Sequence, residues 1–173
     1  MEISIVELKP SDVDEFYSFI KRQEKNDLEL FTRWRDHAHS DELLKKFSKD
    51  ECNKNLEDGI RIVAKIDKKS ICGFGLIDFF KHSSKKHVAA VGTIVDKKYR
   101  GHGIGKKLLE KEVEIGKLNN KIKLRATIHE ENIESLNLHK SLNFEIEGKF
   151  VAEEFVNKYR NVLSLALFLK PIM

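Results

Sequence analysis

The periodicities of this chain predict an α+β fold: one mixed sheet of seven strands flanked by helices on both faces. Three observations carry that reading. Hydrophobic spacing alternates between period two and period 3.6 in the order β-α-α-β-β-β-α-β-α-β-β. The only prolines are Pro10 and Pro171, and no repeat, low-complexity tract or Pro/Gly-rich linker interrupts the 173 residues, so 1–173 read as a single domain. Apolar residues make up 40% and charged residues 35% of the chain, a soluble composition with a heavily charged surface.

Ile3, Ile5 and Leu8 open as a partly alternating strand. Ser11 offers an N-cap for a helix carrying Val13, Phe16, Phe19 and Ile20. From Gln23 to Asn55 the pattern loosens into short helices joined by turns, with Leu43, Leu44 and Phe47 as the apolar face of the second. Residues 61–66, the polar turn Asp67–Ser70 and the β-branched and aromatic run Ile71–Phe80 read as an antiparallel hairpin. Val88–Val95 follows as a strand, and Gly92 inside it marks a bulge or a close approach. A helix then carries Ile104, Leu108, Leu109, Val113 and Ile115, and Ile122–Ile128 alternates as a strand. Asn132 can cap a helix bearing Ile133, Leu136, Leu138 and Leu142, and strands at Phe144–Phe150 and Val162–Leu169 close the chain.

Charge and cysteine usage narrow the function classes. Thirty-two Lys plus Arg against 28 Asp plus Glu leave a net charge of +4. Bases alternate with acids, as in Lys106–Glu110 and Lys107–Glu112, so the surface reads as mixed and solvated, and no nucleic-acid partner is expected. The longest apolar run, Val162–Leu169, falls far short of the ~20 residues of a membrane span. The acid-bearing start MEISIVELKPSD has no apolar core of a secretion signal, and a cytoplasmic protein is expected. Cys52 and Cys72 form neither a disulfide framework nor a metal knuckle, and they read as buried or idle thiols. His37, His39, His82 and His87 show no ligand spacing, so no metal is expected.

The chemistry concentrates in Val91–Leu109, where a strand runs into Arg100-Gly101-His102-Gly103-Ile104-Gly105 and on into an amphipathic helix. Glycines without Cβ atoms let a ligand approach the backbone, and the helix start offers open N–H groups and the positive end of its dipole. Arg100, Lys106 and Lys107 add mobile positive charge. A phosphate or pyrophosphate at the helix start is the expectation. The Walker loop is excluded because Gly105-Lys106 is followed by Lys107 and position 100 is Arg. The dinucleotide fingerprint is excluded because position 106 is Lys where a third glycine is needed.

What fits is Arg-x-x-Gly-x-Gly in Arg100, Gly103 and Gly105. Here the chain resembles the GNAT acyltransferase superfamily, whose coenzyme A pyrophosphate loop is written Gln/Arg-x-x-Gly-x-Gly/Ala. Ile94-Val95-Asp96 and Tyr99 look like that family's fourth strand and its exit. Asn132, Ser135, Leu138, His139, Asn143 and Phe144 match its second block, an Asn followed by "A-x-x-L-Y-x-x-x-G-F". The likeness covers residues 88–150 and extends to the ribosomal-protein N-terminal and phosphinothricin-type acetyltransferases.

The resemblance implies a mostly antiparallel seven-stranded sheet and acetyl-CoA as co-substrate, without metal. It implies that the backbone of Thr93, Ile94 and Val95 pairs with the pantetheine arm, with the Ile94 or Val95 N–H polarising the thioester carbonyl. Arg100, Gly101, His102, Gly103, Ile104, Gly105 and Lys106 would hold the pyrophosphate, and Asn132 would bond the pantetheine where strands 4 and 5 splay apart. His139 stands where the family places a tyrosine general acid. It reads either as that acid or as a histidine filling a helix face and bonding a backbone carbonyl. Thr127 stands where ribosomal-protein enzymes carry a Glu base, leaving water, Glu130 or Glu131 to take the proton. Trp34, within Phe31–Arg35, reads as an acceptor wall or a core cap, and Tyr159 and Arg160 fall where relatives close the acceptor site. The implied activity is transfer of an acetyl group to a primary amine by direct attack, the acceptor being a small amine, an amino-acid-like compound or a protein N-terminus. The alternative is a coenzyme A-binding sensor without turnover. Free sheet edges and the last two strands are compatible with a homodimer.

Overall fold

The computed structural model describes residues 2–27, 40–156 and 158–171. Its elements are β1 (Ile3–Glu7), α1 (Val13–Asp27), α2 (Asp41–Cys52), β2 (Gly59–Ile66), β3 (Ser70–Phe79) and β4 (Val88–Val95). They continue as α3 (Ile104–Leu118), β5 (Lys123–His129), α4 (Ile133–Lys140), β6 (Glu145–Val156) and β7 (Lys158–Phe168). The strands form a seven-stranded sheet in the order β1-β2-β3-β4-β5-β7-β6. Strand β4 is parallel to β5, while the β1–β2, β5–β7 and β6–β7 pairs are antiparallel. Among the described residues the α+β class, the element order and the mostly antiparallel sheet are as predicted. Two compact units are distinguished, Met1–Leu76 with Thr93–Leu108, and Ile77–Gly92 with Leu109–Met173.

In the first unit, Phe16, Phe19 and Ile20 of α1 and Leu44 of α2 are buried with Leu8, Val63, Ile71, Phe74 and Ile94. The Phe16 and Phe74 rings lie 4.9 Å apart. Gly73, one residue before Phe74, points to the opposite face of β3, as the pleat requires. There a Cβ would stand 2.9 Å from Leu108 and 3.3 Å from Ile104 at the start of α3. Strand β3 therefore carries α1 on one face and the first turns of α3 on the other. The β2–β3 hairpin closes on Asp67 and Lys68, with φ of 48° and 61°, the primed turn that suits the twist of paired strands.

The entry to α1 departs from expectation. Ser11 does not cap the helix; Pro10–Asp12 form a 3-10 turn, because Pro10 presets the φ of a tight first turn. The Asp12 carboxylate accepts the Lys9 N–H at 3.1 Å and pairs with Lys65 at 2.7 Å. Asp12→Ala removes both contacts and is expected to lower the unfolding free energy by about 1–2 kcal/mol, read as a lower urea midpoint with an unchanged slope.

In the second unit, Leu124, Ala126 and Ile128 of β5 are buried. Gly116 lets α3 approach Leu124, to which a Cβ would come within 2.9 Å. Glu112, expected on a solvated face, is fully buried on α3. The last hairpin is longer than expected, with β6 running to Val156 and β7 starting at Lys158. Its register shifts between Phe150 and Glu154, around Ala152 at φ 52°. The Ala152 N–H is taken by the Asn161 side chain at 3.0 Å. Such a bulge breaks the period of two, and Val151, Phe155 and Tyr159 are exposed, so alternation could not mark this stretch as strand.

Candidate active site

The Gly-rich turn comes out as a helix start without a side-chain cap. Helix α2 is capped by Ser40 and α4 by Asn132, each accepting a backbone N–H at 3.1 Å. At α3 the Lys107 N–H bonds the Gly103 carbonyl at 3.1 Å, which puts Gly103 at the capping position, and glycine has no side chain to accept the remaining N–H groups. Gly101 and Gly103 have φ of 77° and 74°, the left-handed region that glycine enters without penalty, and an added Cβ at either would meet nothing within 4 Å among the described residues. Gly101, His102, Gly103, Lys106 and Lys107 are exposed, while Ile104 is buried and anchors the turn from below. Open amides, a dipole end, two exposed ammonium groups and empty space over the glycines suit an oxyanion with several acceptor oxygens.

The approach to this turn is tightly held. Thr93 and Val95 are half-buried at the end of β4, and Ile94 is buried. The Arg100 Nε donates to the Val95 carbonyl at 3.1 Å, so the side chain expected as mobile charge folds back on the strand. The His102 Nδ1 lies 2.8 Å from the Arg100 carbonyl, to which it donates. The buried Asp96 donates its N–H to the Cys72 carbonyl at 2.9 Å and caps the next turn by accepting the Lys98 N–H at 3.1 Å. Cys52 and Cys72 are buried, as expected.

The other expected residues belong to the second unit. The β4–β5 ladder spans three pairs, Val88 to Ala90 against Lys123 to Arg125, while β5 pairs with β7 through His129. Asn132 caps α4 with its side-chain oxygen on the Ser135 N–H, which leaves its amide NH2 as donor. His139, in the last turn of α4, is 3% exposed. Its Nδ1 donates to the Ser135 carbonyl at 2.8 Å, its ring stands edge-on to Phe144, and its buried Nε2 has no partner among the described residues. Burial holds its pKa below the ordinary value, so the ring is neutral at pH 7 with the free lone pair on Nε2. Asn143 takes the left-handed position after α4 at φ 64°, where the family pattern writes Gly.

Glu130 and Glu131 are already engaged. Lys149, then Asn161, hold the Glu130 carboxyl below its usual range, and Lys158 does most of the same to Glu131, with Arg160 as a further partner. Carboxylates so stabilised are poor proton acceptors. On the same strand end, buried His129 places Nε2 2.6 Å from Glu154, a contact that orients the imidazole. Thr127, on the same face two residues earlier, is exposed.

Tyr159 is exposed and pairs with Phe155 at 5.2 Å, and Arg160 is buried. Phe31–Arg35, including Trp34, and His37 and His39 lie outside the described residues. Among the described residues no group of three His, Cys, Asp or Glu side chains could hold a metal ion, and no helix is long and apolar enough to cross a membrane. Sequence reasoning missed the close seat of Gly73 and the ion pair of Arg22 with Asp96. Gly73 is one of two glycines, with Gly75, in an apolar run, and its signal is a missing side chain where large apolar residues dominate. Arg22 looks like any solvated helix charge.

Comparison with known proteins agrees with the fold. The fold matches a GNAT-family acetyltransferase from Streptococcus pneumoniae, with a TM-score of 0.83, 20% identity, and coverage of 98% of this chain and 100% of that one. YncA of Salmonella typhimurium, solved with its cofactor acetyl-CoA, gives a TM-score of 0.82 at 16% identity, covering 100% and 97%. Ribosomal-protein-alanine and phosphinothricin acetyltransferases are among the solved structures that share the fold. Spermidine N(1)-acetyltransferase of Escherichia coli K12 is 25% identical over 96 residues, which are 54% of this chain and 52% of that protein. The chain thus spans about half the length of the curated relative it matches. Residues 21–144 match the Acetyltransferase (GNAT) family, and the chain belongs to it.

Proposed function

We propose that this protein is an acetyl-CoA-dependent N-acetyltransferase acting on a primary amine, with its two units working as one acetyltransferase domain. The uncapped, glycine-bordered start of α3 carries the reading, because it suits a pyrophosphate better than any side chain present. The family match from residue 21 to 144 takes in parts of both units and supports the same view.

Acetyl-CoA supplies an activated acyl carbon and a thiol leaving group. The chain's part is to hold the pyrophosphate on the amides of Gly103 to Lys106 and to present the N–H of Ile94 or Val95 to the acyl oxygen. Asn132 offers its amide NH2 to the pantetheine. One proton must leave the amine and one must reach the thiolate. His129, backed by Glu154, is the side chain whose partners suit acceptance. His139 starts neutral and can donate from Nε2 only after gaining a proton there. His139→Asn keeps an amide donor near the Ser135 carbonyl and deletes Nε2. Turnover is expected to fall about 10²-fold with acetyl-CoA affinity unchanged; unaltered turnover would assign His139 to packing against Phe144.

The acceptor is a small amine, an amino-acid-like compound or a protein N-terminus. The spermidine enzyme among the relatives favours testing polyamines first, beside peptides with free N-termini. The decisive experiment is calorimetric titration with acetyl-CoA beside ATP and NAD, followed by thiol detection across the amine panel. Binding of acetyl-CoA alone, with thiol release, is expected. A second reading, a coenzyme A-binding module without turnover, is favoured by the neutral state of His139 and the engaged Glu130 and Glu131. Acetyl-CoA binding without thiol release from any amine would select it.

A further inference from the structure

We infer that Arg22 of α1 is a positioning residue for the cofactor turn, acting through Asp96. The inference rests on the acetyl-CoA reading of that turn and adds a residue outside its motif. Arg22 forks between two elements: its Nε donates to Asp96 Oδ2 at 3.2 Å, and a terminal nitrogen donates to the Ile71 carbonyl on β3 at 2.9 Å. Glu15, about two turns earlier on the same face of α1, accepts the Ile71 N–H at 3.1 Å, so α1 grips both backbone groups of that residue. Asp96 is the pivot. Its side chain is 6% exposed, against 42% for that of Arg22. Its second oxygen caps the turn at Lys98, its N–H is tied to β3 through the Cys72 carbonyl, and its carbonyl receives the Tyr99 N–H at 2.8 Å. The chain leaving this turn is Arg100–Gly105.

A carboxylate this buried needs a counter-charge, and losing one partner of such a pair exposes the full desolvation cost of the other. Without Arg22 the Asp96 carboxylate gains by swinging toward water, which uncaps Lys98 and frees the turn whose amides must all point at one anion. A planar guanidinium reaches carboxylate and carbonyl together, whereas an ammonium is a single point.

Acetyl-CoA affinity, measured by calorimetry on folded protein, and the separate KM values for acetyl-CoA and for the acceptor decide the matter. Arg22→Met is expected to weaken acetyl-CoA binding about tenfold and to raise that KM without raising the acceptor's. Adding Asp96→Asn, which keeps an oxygen for the Lys98 N–H and removes the stranded charge, should bring affinity back to within about threefold of the parent. Arg22→Lys should lose about threefold and covers the case in which Arg22→Met does not fold. A lower melting temperature with parental affinity would overturn the inference, as would a double variant as weak as Arg22→Met alone. Failure of the parent protein to bind acetyl-CoA would instead remove the cofactor reading, and this inference with it.

Discussion

Gly103→Val is expected to weaken acetyl-CoA binding about a hundredfold, from two separate causes. Gly103 has a φ of 74°, a conformation that a β-branched residue enters only at a cost of about 1–3 kcal/mol. Among the described residues nothing lies within 4 Å of the added Cβ, so the side chain clashes with none of them and stands in the space assigned to the pyrophosphate. If the backbone instead relaxes to negative φ, the amides behind it rotate away. Either outcome costs affinity. Gly103→Ala carries the strain with less bulk and should lie between. Calorimetric titration reads both variants, and parental affinity in Gly103→Val would remove the loop assignment.

Gly73→Val is expected to lower stability by about 2–3 kcal/mol and to weaken acetyl-CoA binding as well. Its Cβ would fall 2.9 Å from Leu108, 3.3 Å from Ile104 and 3.1 Å from the Ile94 carbonyl oxygen. Leu108 can turn aside, but the carbonyl belongs to the strand that leads into the cofactor turn and moves only with it. The start of α3 and the end of β4 would both lift from β3. A melting temperature roughly 5–10 °C lower is the expected reading. Gly73→Val with parental melting and binding would mean that α3 does not depend on its seat at β3.

How much of this was legible before the structure differs by element. Strand and helix order followed from periodicity because each element has one buried face: Phe16, Phe19 and Ile20 at helical spacing, and Leu124, Ala126 and Ile128 in alternation. The end of β6 was illegible for the same reason, since Val151, Phe155 and Tyr159 face solvent across a bulge. At the candidate site the glycines at 101 and 103 could be read because their conformation constrains residue type locally. The engagement of Glu130 and Glu131 and the clamp between Arg22 and Asp96 depend on partners far along the chain. Single-chain spacing carries no trace of such pairings. His139 lies between these cases: its position followed from a motif, and its neutral state only from its surroundings.

For the proposed reaction, the two buried cysteines bear on what released coenzyme A does to the protein. Desolvation pushes the Cys52 thiol up to about 12 and the Cys72 thiol up to about 11. The thiolate is the form that attacks disulfides, so both side chains are inert toward oxidised coenzyme A at neutral pH. Cys72 lies on β3 between Ile71, whose carbonyl accepts from Arg22, and Gly73, which faces Leu108 and Ile104, so a mixed disulfide there would wedge the strand apart. Protonation and burial together spare the protein that adduct. They also mean that a chromogenic thiol reagent added to the folded enzyme counts product alone.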